Sequence, residues 1–93
     1  MINFKEKKIL ITGATGGIGK ALVKKFVSLE GNVLATGTKI EKLKTLKEEF
    51  PNITILKFDI SEHSKIEEFI ENVSSQLVGL DVLVNNAGIN MDN

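Results

Sequence analysis

The sequence lacks several residue types on which particular functions depend. It contains no cysteine, which excludes a disulfide framework, a zinc ribbon and a thiol nucleophile from these 93 residues. A single histidine is too few to build a histidine-based metal cluster. Tryptophan and tyrosine are also absent, and Pro51 is the only proline. We therefore expect no metal site in this chain.

The chain also lacks an excess of one charge and a long apolar run. Twelve basic residues, all lysine, balance twelve acidic residues, which argues against a nucleic-acid or anionic-membrane surface. Runs such as Ile9–Ile11 and Val82–Val84 are too short to cross a bilayer, and no apolar stretch of signal-peptide length follows the first lysines. The composition, 42% hydrophobic and 26% charged, predicts a soluble, cytoplasmic globular protein with no nucleic-acid or membrane partner.

Short apolar strands alternate along the chain with segments of helical spacing. Residues 8–12, 32–36, 53–58 and 80–85 are rich in β-branched and other apolar residues and predict strands. The apolar positions of the three intervening helices are Ile18, Leu22, Phe26 and Leu29, then Ile40, Leu43, Leu46, Lys47 and Phe50, then Ile66, Phe69, Ile70, Val73 and Leu77. Gly31 and Pro51 mark the ends of the first two. The order β-α-β-α-β-α-β predicts an α/β fold with a parallel, doubly wound, Rossmann-like sheet.

The extent of the chain bears on its domain organisation. The sequence ends at Asn93, eight residues after the fourth predicted strand. A doubly wound sheet normally continues for further strands. We therefore expect residues 1–93 to form the N-terminal part of one dinucleotide-binding domain that is incomplete at its C-terminus.

A glycine-rich segment, Thr12–Gly19 with the sequence TGATGGIG, follows the first strand and opens the first helix. The N-terminus of a helix presents unpaired N–H groups and the positive end of its dipole, which attract phosphate. Glycines let a pyrophosphate approach the backbone. A P-loop is excluded because five residues separate Gly13 from Gly19 and an alanine follows Lys20. The remaining alternatives are a dinucleotide-binding turn and a glycine-rich turn without a ligand.

Two motifs resemble those of the short-chain dehydrogenase/reductase family. The spacing T-G-x-x-x-G-x-G is present with Gly13, Gly17 and Gly19. Gly16 also permits the T-G-x-x-G-x-x-G pattern of the family's extended branch, which acts on nucleotide sugars. Residues 85–88, Asn-Asn-Ala-Gly, end the fourth predicted strand and are similar to the N-N-A-G motif of the classical branch, which favours that branch.

The resemblance implies a cofactor site at the ends of the strands. By this resemblance, Asp59 would contact the adenine amine, and the backbone of Ile60 would lie along the adenine ring. The alternative is that Asp59 only caps the following turn. Asp81 and Asn85 are expected to be structural. The residues implied to bind the cofactor are Gly13, Thr15, Gly17, Ile18, Gly19, Thr38, Asp59, Ile60, Asn86, Ala87 and Gly88.

The segment after the second strand indicates which cofactor would bind. An acidic residue there would bind the ribose hydroxyls of NAD and repel a 2′-phosphate. No acid occurs until Glu41, so the sequence favours NADP(H). Thr38 could donate a hydrogen bond to the phosphate and Lys39 could add charge, although a solvated lysine at a helix start is the alternative. Many NADP-dependent relatives have a basic residue in the place of Gly16.

The family resemblance also indicates what these residues lack. Family catalysis uses a tyrosine, a lysine four positions later, a serine and an asparagine, all beyond the N-N-A-G motif. Because the chain has no tyrosine, the Tyr-x-x-x-Lys pair is not within it. We expect no catalytic residue and no turnover by the 93 residues alone.

The last six residues, with the pattern G-I-x-x-D-N, are similar to bacterial 3-oxoacyl-[acyl-carrier-protein] reductases. This implies NADPH-dependent reduction of a ketone, a 3-oxoacyl group on acyl carrier protein, in fatty acid synthesis by a homotetramer. The alternatives are a non-catalytic NADP-binding truncation product, another family member and an extended-branch epimerase.

Overall fold

The computed structural model describes residues 3–58, 68–69, 71–72 and 80–86. Residues 68–69 and 71–72 are helical, as predicted for a third helix, and the other residues of that prediction lie outside the described residues. The other elements are strands β1 (Lys8–Thr12), β2 (Asn32–Gly37), β3 (Thr54–Lys57) and β4 (Val82–Asn85), and helices α1 (Gly17–Ser28) and α2 (Ile40–Glu49).

The four strands form one parallel sheet in the order β3-β2-β1-β4. In its register, Ile9 of β1 lies between Val33 of β2 and Val82 of β4. The strand order reverses between β1 and β4, and in sheets of this kind ligands bind at such a reversal, outside the carboxyl ends of the strands. The predicted Rossmann-like α/β fold is confirmed.

The apolar run of β1 is buried on both faces of the sheet. Ile9 and Ile11 pack in one cluster with Val23 of α1 and Leu43 of α2. On the opposite face, Leu10 packs with Leu34 and Phe69, and the Phe69 ring stacks on Phe58 at a centroid distance of 3.9 Å. Since Phe69 belongs to the helical residues after β3, helices cover both faces, as the doubly wound prediction requires.

The C-terminus of α1 differs in detail from the prediction. The helix ends at Ser28, and the residue with left-handed backbone is Glu30 (φ 65°), not Gly31. Backbone N–H groups of Glu30 and Gly31 donate to the carbonyl groups of Val27 and Phe26, as in a Schellman motif. Gly31 has a different role: an added Cβ there would lie 2.5 Å from Cδ1 of the buried Ile9 and 3.3 Å from the carbonyl oxygen of Phe26, so one of these neighbours would have to shift.

Among the described residues, two of the positions predicted to form the apolar faces of the helices are exposed. Ile18, in the first turn of α1, is 67% exposed. Lys47 of α2 is exposed, and its ammonium group donates to the carbonyl oxygens of Pro51 (3.0 Å) and Ile53 (2.5 Å). This lysine therefore ties the end of α2 to the start of β3.

The described ranges were also compared with the requirements of a membrane span and of a metal site. No helix in them is both long enough and apolar enough to span a membrane. The same ranges contain no group of three or more acidic, histidine or cysteine side chains that could hold a metal ion.

Candidate functional site

The turn between β1 and α1 lies at the carboxyl edge of the sheet. Gly13 has left-handed backbone (φ 61°), which turns the chain immediately after β1. The next N–H group, from Ala14, donates to the carbonyl oxygen of Thr36 at 2.9 Å. Gly16 is the N-cap of α1. The turn is thus fixed to β2 on one side and opens directly into the helix on the other.

No capping side chain accepts a hydrogen bond from the N–H groups at the N-terminus of α1. Gly16 provides no side-chain hydrogen bond, and the first turn contains no acidic residue. The N–H of Lys20 donates to the carbonyl oxygen of Gly16 at 2.8 Å, so the intrahelical ladder begins there. The preceding N–H groups and the positive end of the helix dipole suit a phosphate group.

Two glycines of the turn have different structural roles. A Cβ on Gly19 would lie 2.1 Å from the carbonyl oxygen of Gly13 and 2.7 Å from Cα of Ala14, so this glycine permits the close packing of α1 against the turn. A Cβ on Gly17 would meet nothing within 4 Å. Contacts within the described residues therefore do not require a glycine at position 17, and the space beside it is open in this part of the chain.

Asn86 connects the end of β4 to the glycine-rich turn. It is 9% exposed, and its Nδ2 donates to the carbonyl oxygen of Gly13 at 3.0 Å. Its backbone N–H donates to Oγ1 of Thr12 at 2.9 Å. The sequence prediction placed Asn86 at the cofactor, and it missed this role in holding the turn. The available signal was a polar side chain directly after the strand that pairs with β1.

The end of β2 forms the other side of the site. The side chain of Thr15 reaches Gly37, where an added Cβ would lie 3.4 Å from Cγ2 and 3.5 Å from Oγ1 of the threonine. Thr38 and Lys39 follow in exposed positions, and Lys39 is the N-cap of α2. The structure therefore brings the turn next to the residues that were predicted to recognise a 2′-phosphate.

The predicted site residues fall into two groups. The glycine-rich turn, Ile18, Thr38 and Asn86 lie at the carboxyl edge of the sheet, around the ends of β1, β2 and β4. The predictions that fall outside the described residues are those for Asp59, Ile60, Ala87 and Gly88. Asp81, expected to be structural, accepts a hydrogen bond from the backbone N–H of Lys8 at 2.8 Å.

The whole of this arrangement falls within one protein family. A family model described as short chain dehydrogenase matches residues 7–93, which include the sheet, the glycine-rich turn and Asn86. The chain belongs to the short-chain dehydrogenase family. This membership accounts for the strand order and for the turn that opens into α1.

Curated relatives agree with this assignment. The short-chain dehydrogenase chain is 37% identical over 82 residues to the NADP-dependent 3-hydroxy acid dehydrogenase YdfG of Escherichia coli K12, covering 87% of this chain and 33% of that protein. It is 35% identical, over an alignment of 100 residues, to the 3-oxoacyl-[acyl-carrier-protein] reductase FabG of Aquifex aeolicus. That alignment covers 98% of this chain and 39% of the Aquifex protein. The chain thus spans between 33% and 39% of the length of these two relatives.

Solved structures show the same fold. A short chain dehydrogenase from Bacillus anthracis matches with a TM-score of 0.81 and 34% identity, over 90% of this chain and 35% of its own. One from Mycobacterium smegmatis has a TM-score of 0.87 over 98% of this chain and 40% of its own. Its sequence identity is 23%, so this second match supports the fold alone.

Proposed function

We propose that the chain is the dinucleotide-binding part of an NADP(H)-dependent short-chain oxidoreductase that interconverts a ketone and an alcohol. The observation that carries the proposal is the open N-terminus of α1 at the strand-order reversal, where an added Cβ on Gly17 would meet no atom of the described residues within 4 Å. Membership of the short-chain dehydrogenase family supports the oxidoreductase class.

The described residues would hold the cofactor by its phosphates and its ribose. The N–H groups at the start of α1 would bind the pyrophosphate, and the exposed side chain of Ile18 would pack beside it. Thr15 and Gly37 would lie against the adenosine ribose. Asp59 and Ile60 are proposed to bind the adenine, and Ala87 and Gly88 to line the remaining site. When bound, the cofactor supplies or accepts the hydride, and these residues orient it.

The proposed preference for NADP(H) depends on the end of β2. Thr38 and Lys39 follow the strand in exposed positions, and Glu41 is the first acidic residue after it. The absence of an acid at the strand end removes the group that would repel a 2′-phosphate. The name of the Escherichia coli relative includes NADP dependence, which supports the same choice.

The proposed substrate is a 3-oxoacyl group, reduced to the 3-hydroxyacyl product on acyl carrier protein in fatty acid synthesis. Both relatives have names in which the reacting oxygen is on carbon 3, as a 3-hydroxy acid or a 3-oxoacyl group. A free 3-hydroxy acid is the second candidate, favoured by the name of the Escherichia coli relative. A cytoplasmic homotetramer is proposed for a protein that also contains the catalytic residues. The 93 residues contain no tyrosine to protonate the substrate, so we expect no turnover by them alone.

A substitution at Gly17 tests the proposal because it should affect folding and binding in opposite directions. The new Cβ of Gly17→Ala would enter open space, and alanine favours a helix over glycine by about 1 kcal/mol, so the fold should be retained or strengthened. The same methyl group should weaken NADPH binding by at least about tenfold, or ~1.4 kcal/mol, if the cofactor approaches this backbone.

NADPH affinity would be measured by fluorescence titration of the 93-residue chain, with thermal unfolding followed by circular dichroism. Lys24→Ala, at an exposed position further along α1, is the matched control and should leave NADPH affinity unchanged. Equal NADPH affinity of Gly17→Ala and the parent chain would contradict the proposed site. A folded parent chain that binds no dinucleotide would contradict the proposed function.

A further inference from the structure

Phe58 lies directly after β3, at the carboxyl edge of the sheet, and contacts two other elements. Its backbone N–H donates to the carbonyl oxygen of Gly37, at the end of β2, at 2.8 Å. Its ring stacks on the ring of Phe69, with a centroid distance of 3.9 Å and an interplanar angle of 14°. Phe69 is one of the helical residues after β3, and it is buried beside Leu10 and Leu34. Phe58 therefore connects the end of β2 to the core on this face of the sheet.

Hydrogen bonds hold the last two residues of β2 from opposite sides. The carbonyl oxygen of Thr36 accepts the N–H of Ala14, in the turn after β1, at 2.9 Å. The carbonyl oxygen of Gly37 accepts the N–H of Phe58, in the segment after β3. The two donors lie on opposite sides because β2 is between β1 and β3 in the sheet. The position of Gly37 therefore depends on the residue that follows β3 as well as on the glycine-rich turn.

Gly37 is central to the adenosine end of the proposed dinucleotide site. The side chain of Thr15 lies beside it, and Thr38 follows it in an exposed position. We propose that Phe58, through its stack on Phe69, is a positioning residue for the adenosine half of the cofactor; the inference rests on the proposed function. Phe58 acts through Gly37 and not by contact with the cofactor. Without the ring contact, the N–H donor of Phe58 would lose its attachment to the core, and the end of β2 would lose a fixed partner.

The test removes the ring of Phe58 and keeps most of its apolar volume. Phe58→Met should lower the affinity for NADPH about fivefold, the effect of one aromatic pair, and should lower the affinity for 2′,5′-ADP by the same factor. 2′,5′-ADP is the probe because it contains the adenosine half of NADPH without the nicotinamide half. Phe58→Tyr retains the ring and should retain both affinities. Phe69→Met should reproduce the loss, and a variant with both methionines should lose no more than either single variant.

Phe26→Met is the matched control, because Phe26 is also partly buried and forms an aromatic pair, with Phe4 at a centroid distance of 5.1 Å. Phe26 lies near the C-terminus of α1, at the other end of the helix from the glycine-rich turn. Its substitution should lower the Tm and leave both affinities unchanged. Affinities would be measured by isothermal titration calorimetry, at a temperature at which circular dichroism shows each variant to be folded. Phe58→Leu replaces Phe58→Met if the methionine variant does not fold.

The outcomes separate the inference from the proposed function. A parent chain that binds NADPH, together with a folded Phe58→Met variant of unchanged affinity, would overturn the inference alone. Equal losses for Phe58→Met and Phe26→Met would also overturn it, as would a Phe58→Tyr variant that loses as much as Phe58→Met. A loss of NADPH affinity without a loss of 2′,5′-ADP affinity would overturn it too, because the effect would lie outside the adenosine half.

A parent chain that binds neither NADPH nor 2′,5′-ADP would overturn the proposed function and the inference together. Matching losses of both affinities in Phe58→Met and Phe69→Met, with both affinities retained in Phe58→Tyr and Phe26→Met, would support the inference. A role of the ring in stability alone would not produce this pattern, since the variants are compared in the folded state.

Discussion

Replacement of Asn86 by alanine should destabilise the protein through one identifiable hydrogen bond. The substitution removes Nδ2, which donates to the carbonyl oxygen of Gly13 at 3.0 Å. The backbone N–H of residue 86 would keep its bond to Oγ1 of Thr12. The carbonyl group of Gly13 would then lack this donor in a partly buried position. The perturbation is therefore confined to the connection between β4 and the glycine-rich turn.

The expected magnitude follows from the burial of that bond. The carbonyl oxygen of Gly13 is partly buried and would keep only a long hydrogen bond, 3.5 Å, from the backbone N–H of Gly16. Loss of a partner by a buried polar group costs about 1–3 kcal/mol, so we expect a loss in the lower part of that range, about 1–2 kcal/mol, for Asn86→Ala. Asn32 provides a matched control, because its Nδ2 donates to the carbonyl oxygen of Glu6 at 3.4 Å in an exposed position. Asn32→Ala should cost no more than about 0.5 kcal/mol. Asn86→Asp should cost more than Asn86→Ala, since a carboxylate oxygen would face the Gly13 carbonyl.

The assay is equilibrium unfolding in urea, followed by circular dichroism, for the parent chain and the three variants. The reasoning requires a lower midpoint for Asn86→Ala at an unchanged slope, since the surface exposed on unfolding is the same. Equal free energies of unfolding for Asn86→Ala and Asn32→Ala would refute it. So would an Asn86→Asp variant as stable as the parent chain.

Three further substitutions test local features of the fold, each by thermal unfolding. Glu30→Gly should stabilise the chain by about 0.5–1 kcal/mol, because glycine adopts the left-handed backbone at φ 65° without steric cost; an unchanged Tm would contradict this account. Gly31→Ala should destabilise by about 1–3 kcal/mol, because its Cβ would lie 2.5 Å from Cδ1 of Ile9; a neutral result would mean that Ile9 moves freely. Lys47→Met should cost about 1 kcal/mol by removing the donor to the carbonyl groups of Pro51 and Ile53, whereas Lys44→Met should cost little.

The sheet was predictable because its strands are buried on both faces. The central residues of β1 (Ile9–Ile11) and β2 (Val33–Ala35) are apolar and buried, as is typical of strands in a parallel sheet that is covered by helices on both sides. The predicted strands 53–58 and 80–85 are shorter in the structure, Thr54–Lys57 and Val82–Asn85. Strand ends depend on the partner strand, and a sequence pattern alone contains no information about pairing.

The roles of individual residues at the ends of helices were harder to predict. Ile18 fits the helical period of α1, yet in the first turn of the helix it is exposed. Gly31 fits the rule for a helix end, yet Glu30 adopts the left-handed conformation and Gly31 avoids a clash with Ile9. The role of Gly31 depends on its contact with Ile9 of β1, which is distant in sequence. Periodicity and capping rules describe only neighbours along the chain.

The same limit applies to the glycine-rich turn, where sequence spacing gave Gly13, Gly17 and Gly19 one common role. The structure separates them, because Gly19 allows the backbone to pack closely, whereas a Cβ on Gly17 would meet no atom of the described residues. Gly13 depends on Asn86, a residue 73 positions away, so the turn acquires its shape only when β4 has joined β1. Cofactor binding should therefore be coupled to the folding of the whole sheet, and a peptide of the turn and α1 alone should not bind NADPH.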